Sequence, residues 1–467
     1  MAGIGFELRK LIEENTFSGD FRAYFYAGML SAGPWVISIF SIGLLWIFSA
    51  PQMGMGVQKL FRVAVVYTYA YSLISTGALQ LVITRFLADR LFVKRGDSLM
   101  PTYVGLILLT VIFQSLTAVI FYSFCDVDLH FKIIGVVLYV TVSCIWQTMI
   151  FLSAARDYLS VVAAFFWGCL VSFLAALALG YKFGFNGHLL GYTLGQVVIV
   201  LLLMYRIFCE FTSEIDCDFE FTKHFSKYVD LFIIGVFYYL AIWIDKIIYW
   251  YAAGGEHIKS LFYAHYPYDS CMFIAFLTII PVLAHFMVDV ETNFYEKYKS
   301  FYGSIVNKGT LKDIRYQKKE MVTVMRETSF RIIIFQALVT GAFIFYAPLM
   351  ARFLDLRMEY VFVLRNAGLG TFFHAFLLVV LIFILYFDRR RIAAMVSVCF
   401  LATNSFFTLG VIKFFPEYMG AGYAAAAFVT LVFALCLLSK DVSRLEYLTF
   451  IEQPFQRPYL PKATETG

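Results

Sequence analysis

Apolar residues run along this chain in long blocks separated by short polar stretches. Twelve blocks are legible, at 24–49, 63–84, 103–124, 133–153, 161–181, 189–205, 231–253, 271–288, 332–351, 367–387, 392–412 and 420–438. Each is about long enough for a helix to cross a ~30 Å hydrocarbon core. The pattern predicts an all-α integral membrane protein with about twelve transmembrane helices. The sixth block is the shortest, and the eighth contains Pro281.

Four polar segments stand outside this rhythm. In residues 1–23, Ile4, Leu8, Leu11 and Ile12 fall at helical spacing, which predicts a short helix lying on the membrane surface. Its early charges leave no short apolar core of the kind that a cleavable signal needs. Residues 206–230 hold Glu210, Glu214, Asp216, Asp218 and Glu220 between the sixth and seventh blocks. In 289–331, Phe294, Tyr298, Phe301 and Ile305 recur at steps of three and four, so an amphipathic helix is expected, followed by the basic run RYQKKE at 315–320. The last segment is the tail, 440–467. The expected organisation is therefore a surface helix (1–23), a six-helix lobe (24–210), a connector (211–230), a second six-helix lobe (231–439) carrying the basic helix 289–331, and the tail.

Charge gives a direction to this layout. Of the 37 Lys and Arg residues, 27 fall on the side of the N-terminus, 9 on the opposite side, and Lys246 lies within a span. Cytoplasmic loops carry the excess of Lys and Arg, so both termini are expected in the cytoplasm. Composition agrees, since 61% of residues are hydrophobic and only 15% charged, against about a quarter charged in soluble domains. The net charge of +5 sits in loops and orients the chain; no nucleic-acid partner is implied. The basic residues Lys312, Arg315, Lys318 and Lys319 are candidates for docking either the anionic inner leaflet or a cytoplasmic partner.

Several kinds of chemistry are not signalled. The eight cysteines are scattered without a CxxC or a Cys/His cluster, so neither a disulfide framework nor a metal site is expected. No phosphate-binding loop occurs. Two acidic doublets, Asp126/Asp128 and Asp216/Asp218, read as solvated loops. No cofactor is expected.

One stretch does not fit a plain membrane helix: AIWIDKIIYWY at 241–251 sets Asp245 beside Lys246 in an apolar, aromatic run. Asp245 is fifteen residues from Asp230 and eleven from Glu256, or ~22 Å and ~16 Å along a helix. Each such charge costs about 3 kcal/mol near the bilayer centre. Sequence neighbours point about 100° apart on a helix, so the two heads are not expected simply to face each other. Either they pair with other helices or they line a wet path. Trp243 and Tyr249, with Trp35 in the first span, offer rings that could stack on the apolar faces of sugars. Gln80, Gln147, Gln196, His285, His374 and Asn404 also fall within spans, where such groups commonly join helices. Gly33–Pro34 and Pro281 are expected hinges.

Several motifs together resemble one family. MAGIGFELRKL at 1–11, RAYFYAGMLSAGPWVISI at 22–39, TRFLADRLF at 84–92, YDSCMFIAFLTIIP at 268–281 and VETNFYEKY at 290–298 are similar to the PelG family, the integral membrane subunit of the Pel exopolysaccharide export system. The resemblance runs over nearly the full length. It implies a relative of the multidrug/oligosaccharidyl-lipid/polysaccharide flippases, with two six-helix lobes around a central cavity in the bacterial inner membrane. It further implies export of a polymer rich in N-acetylhexosamines for the biofilm matrix. The implied partners are a cytoplasmic glycosyltransferase and two further membrane proteins, one of them a cyclic di-GMP sensor. In such folds the first helix of each lobe lines the cavity, which here would bring Pro34–Trp35 and Asp245–Lys246 to it. No enzyme activity is expected. The rival readings are a flippase of lipid-linked oligosaccharides, an ion-coupled efflux protein using Asp245, a scaffold for a synthase and, furthest from the pattern, a glycosyltransferase using Asp126 and Asp128.

Overall fold

The computed structural model describes residues 28, 37–38, 43–45, 48 and 55–451, apart from 94–95, 156, 212–215, 253 and 355. The expected surface helix 1–23, the candidates Gly33, Pro34 and Trp35, and the tail beyond 451 lie outside the described residues.

Ten helical stretches among the described residues are long and apolar enough to cross a membrane, one of them the run Tyr266–Val306 divided below into shorter helices. The first four are α1 (Met55–Phe92), α2 (Leu99–Ser123), α3 (Leu129–Ala155) and α4 (Tyr158–Glu210). A straight helix with the 53 residues of α4 would span ~80 Å, far more than one crossing. Gly184 breaks it at φ 60°, ψ −137°, a conformation open essentially to glycine alone. Beyond the break the chain returns antiparallel to itself. Methyl groups on Gly187, Gly191 and Gly195 would run into the Leu179 carbonyl, the Ala176 amide and the Ser172 hydroxyl respectively. Asp157, which caps the start of α4, accepts from Arg206 near its end at 2.8 Å. The helix is thus a hairpin whose arms are the fifth and sixth apolar blocks.

A connector with the short α5 (Thr222–Lys227) leads to α6 (Val229–Tyr251). A two-stranded antiparallel hairpin follows, β1 (Glu256–Lys259) and β2 (Phe262–Ala264). Next come α7 (Tyr266–Leu277) and α8 (Ile280–Asp289), a π turn over 290–294, and α9 (Tyr295–Val306). The chain closes with α10 (Leu311–Phe353), α11 (Tyr360–Tyr386), α12 (Arg390–Phe414), α13 (Ala421–Ser443) and α14 (Leu445–Ile451).

These helices form two bundles. In the first, α1 to α4 bury Phe86, Leu106, Phe151, Ile199 and Leu203. In the second, α6 to α13 bury Met272, Met321, Leu377, Phe400 and Ala426. Their outer faces stay apolar: Ile112, Phe113, Leu116, Phe345 and Phe406 are all exposed, as helices facing lipid require. Successive spans reverse direction, so one end of the molecule carries the β-hairpin and the other carries the connector and α14. The bundles meet along α1 and α6. There a methyl on Gly235 would strike the Gly77 carbonyl, and one on Gly77 the Tyr239 ring, so the two backbones touch with that ring packed beside them.

The basic segment 289–331 differs from the expected surface helix. It is two helices, α9 and the first part of α10, joined by a turn at Asn307–Gly309. A capping box between Thr310 and Asp313 starts the second. The apolar face does not lie on lipid headgroups: Phe294 and Phe301 are fully buried, and Phe294 packs edge-on to Phe383 and Tyr386.

Candidate functional site

Beyond Asp230 in its first turn the α6 helix is apolar apart from Asp245 and Lys246, and these two charges find partners inside the second bundle. Asp245 is wholly buried and Lys246 is 6% exposed. Contrary to the sequence expectation, their heads do meet: Lys246 Nζ lies 3.2 Å from both Asp245 carboxylate oxygens. The long lysine stem folds back along its own helix and also donates to the Ile242 carbonyl at 2.9 Å. Asp245 receives a second bond from the Tyr268 hydroxyl of α7 at 2.6 Å. Asn404 of α12 approaches Asp245 at 3.5 Å while donating to the Ala241 carbonyl at 2.8 Å, and Thr408 holds its Oδ1.

Rings close the other side of the ammonium. Phe276, Tyr423 and Trp243 present faces 4.9, 5.5 and 5.8 Å from Lys246 Nζ, distances at which a cation is attracted to the π quadrupole. The chain of polar contacts runs on through His374 of α11, whose Nδ1 meets the Tyr423 hydroxyl at 2.5 Å and whose Nε2 meets Tyr238 at 2.8 Å. Five helices are joined by this network. A charge buried in lipid is tolerated when it is neutralised and hydrogen-bonded, and both conditions are met here.

The polar interior of the first bundle is of a different kind. Tyr69 meets Tyr192 at 3.0 Å and Gln196 at 3.2 Å, Gln196 reaches Ser172, and Trp146 donates to Ser72. None of its buried described residues is Asp, Glu, Lys or Arg. At the seam between bundles Tyr239 donates to Gln80 at 2.7 Å.

The other candidates take separate places. Trp243 is half-buried and Tyr249 buried, with its ring 4.2 Å from Tyr268. Pro281 sits in the first turn of α8, just after the break at Thr278–Ile279 that separates α7 from α8. Lys312, Arg315 and Lys319 are exposed near the α9–α10 turn or only half-covered. Lys318 is occupied internally by Glu446 and the Ser443 carbonyl. Partial burial pushes the Glu446 carboxyl up, but the bond from Lys318 outweighs it and holds the group below the usual range. Asp126, Asp128 and Asp216 lie in loops apart from this network. No group of three potential metal ligands occurs among the described residues. Sequence reasoning missed Tyr268, Phe276 and Tyr423, which look like ordinary aromatic residues in a chain with 31 tyrosines and 52 phenylalanines.

Comparison with known proteins gives the fold a context. The profile described as "PelG: Putative exopolysaccharide Exporter (EPS-E)" matches residues 1–450. No curated protein matches the chain. Among solved structures, a MATE transporter in the bent conformation superposes with a TM-score of 0.65 at 13% identity, covering 96% of this chain and 98% of that one. A Vibrio cholerae MATE transporter in the bent form gives 0.64 at 11% identity, with 96% and 99% covered. A MOP-superfamily transporter from Pyrococcus furiosus gives 0.64 at 12% identity, with 90% and 96% covered. The chain belongs to the PelG family of exopolysaccharide exporters, and it is a multi-pass membrane protein with the MATE/MOP transporter fold. The family is one of exporters, and these neighbours are transporters rather than enzymes.

Proposed function

We propose that this PelG-family protein carries Pel, a polymer rich in N-acetylhexosamines, across the bacterial inner membrane as it is made, for deposition in the biofilm matrix. The observation that carries this reading is the family match over residues 1–450 on a fold of two helical bundles meeting along α1 and α6. The connector end faces the cytoplasm in this reading, because the alternation of apolar blocks assigns 27 of the 37 Lys and Arg residues to segments on that side. A cytoplasmic glycosyltransferase supplies the chain end, and further membrane proteins, including a cyclic di-GMP sensor, complete the assembly. Lys312, Arg315 and Lys319 are the proposed contact for that apparatus or for inner-leaflet lipid.

The proposed sugar-stacking rings are Trp243 and Trp35, with Asp245–Lys246 as the polar group beside them; Tyr249 is set aside because its ring is buried against Tyr268. What supports this is the position of Trp243, half-buried and 5.8 Å from the Lys246 ammonium. The deciding experiment removes this protein and leaves the synthase intact. Labelled polymer is expected to stay in the cytoplasm or to stop forming; undiminished secretion would end the exporter reading.

A second reading, ion-coupled transport, is favoured by the burial of the Asp245 carboxylate inside a span, since ionisable groups placed there mark ion pathways. Collapse of the proton gradient with synthesis maintained separates the two. Synthesis-driven export continues, whereas coupled export stops.

A further inference from the structure

The β1–β2 hairpin belongs to the second bundle by sequence, but Phe262 of β2 is seated in the first. Phe262 is fully buried, with its ring 5.2 Å from Tyr67 of α1, 5.8 Å from Phe121 of α2 and 5.9 Å from Phe131 of α3. Tyr67 stacks on Trp250 of α6 at 4.7 Å and 14°. Its hydroxyl donates to the Tyr263 carbonyl and accepts from the Tyr263 amide, both at 3.1 Å. At the hairpin tip, the Ser260 hydroxyl accepts from the Asp126 amide in the α2–α3 loop at 2.8 Å. Ser260 holds φ at 53°, so the turn is fixed in a conformation that few side chains adopt. Two polar contacts flank this seam: Lys59 with Glu256 at 2.5 Å, and Arg62 with Ser270 at 2.9 Å.

The opposite end of the seam is built differently. There Arg85 reaches Asp388 at 3.9 Å, both well exposed, and Tyr228 donates to Asp89 at 3.3 Å. Aromatic contacts there run through the connector: Phe86 of α1 packs edge-on to His224 of α5 at 4.9 Å, and His224 lies 5.7 Å from Tyr228. The hairpin end is closed by a joint centred on one fully buried ring, whereas at the other end the connector itself spans the bundles and the exposed Arg85–Asp388 pair adds little.

We infer that the β1–β2 hairpin is a strap that closes the bundles at their hairpin end, and that Phe262 must leave its aromatic seat before a polymer can pass out. This deepens the exporter reading and rests on it. The geometry also supplies a natural probe, because Cys125 precedes Asp126, whose amide donates to the Ser260 hydroxyl at 2.8 Å. A Ser260→Cys variant therefore places two thiols across the joint.

The test is carried out in cells making polymer. Ser260→Cys is treated with a mild oxidant, then with a reductant, and compared with the double variant that also carries Cys125→Ser. The expected result is a disulfide between Cys125 and the introduced thiol seen by mass spectrometry, a fall in secreted polymer of at least tenfold on oxidation, and recovery on reduction. The control variant should keep exporting throughout. Recovery shows that the variant folds. Export that continues through a formed disulfide overturns the strap, and so does failure of the two thiols to join. Secretion that persists when the protein is deleted would instead reject the exporter reading.

Discussion

The hydroxyl of Tyr268 on α7 lies 2.6 Å from Oδ2 of Asp245 on α6, and so ties the carboxylate that Lys246 neutralises to a second helix. Breaking one member of a buried pair leaves the other uncompensated, at a cost of about 3–5 kcal/mol. Asp245→Asn and Lys246→Gln are each expected to lower protein abundance and thermal midpoint. The double variant should recover much of both, and Tyr268→Phe should lose about 1.5–3 kcal/mol. Export by the double variant then isolates any transport role. Full abundance without secretion places the pair on the path, and normal secretion makes it a packing device.

Glycines at two positions should respond in opposite directions. Gly184→Ala forces a methyl into φ 60°, ψ −137° and should destabilise by about 1–3 kcal/mol. Gly341, inside α10, has no atom within 4 Å of the place a methyl would take, so Gly341→Ala should stabilise by about 0.5–1 kcal/mol. Thermal midpoints in detergent measure both. A neutral Gly184→Ala would mean that the α4 hairpin turns some other way.

Orientation is open to labelling. Cys271 is fully buried and cannot report, although it lies near the hairpin end. Lys259 is exposed there, and Cys217 is exposed at the connector end. An impermeant thiol reagent added outside the cell should label Lys259→Cys and spare Cys217. The reverse pattern would turn the molecule over and invalidate every assignment of sides.

The basic residues should separate into two classes. Lys318→Glu places a like charge against Glu446 and should weaken the packing of α14. Lys312, Arg315 and Lys319 changed together to Glu should leave the fold intact while releasing the synthase or the lipid contact, as read by co-purification. Because the folded Glu446 is held below its usual pKa, its contribution is present above the unfolded value and lost as pH falls through the folded one. The stability gap between the natural protein and Glu446→Gln should therefore close as the medium is acidified below about pH 4. A gap that stays unchanged well below that pH would dismiss the pair.

Legibility followed the physics of each feature. Asp245 and Lys246 stood out because charge is rare in a span. Tyr268, Tyr423 and Asn404 could not be joined to them, since helices that are apolar all round give no periodicity to show which faces meet. The α4 turn could be read as a gap between blocks. Its glycine contacts could not, because they depend on two arms lying back to back. For 289–331 the three- and four-residue spacing correctly marked one apolar face, but spacing is silent on whether lipid or protein covers it. Phe294 and Phe301 proved to face protein. The strap was not visible at all: residues 256–264 form a pair of strands too short to carry a pattern.

The bare-backbone contact of Gly77 with Gly235 has a mechanical consequence. The Tyr239 ring packs on Gly77 beside it and bonds to Gln80, but the backbones themselves meet without a gap, so the contact can serve as a fulcrum. Measured along α1, Lys59 is eighteen residues from it and Arg85 eight, arms of roughly 27 Å and 12 Å. A tilt of about ten degrees would then move the strapped end by about 5 Å and the opposite end by about 2 Å on those arms. Tyr67, against which Phe262 is seated, is ten residues from the contact, so the same tilt shifts that seat by about 3 Å on an arm of roughly 15 Å.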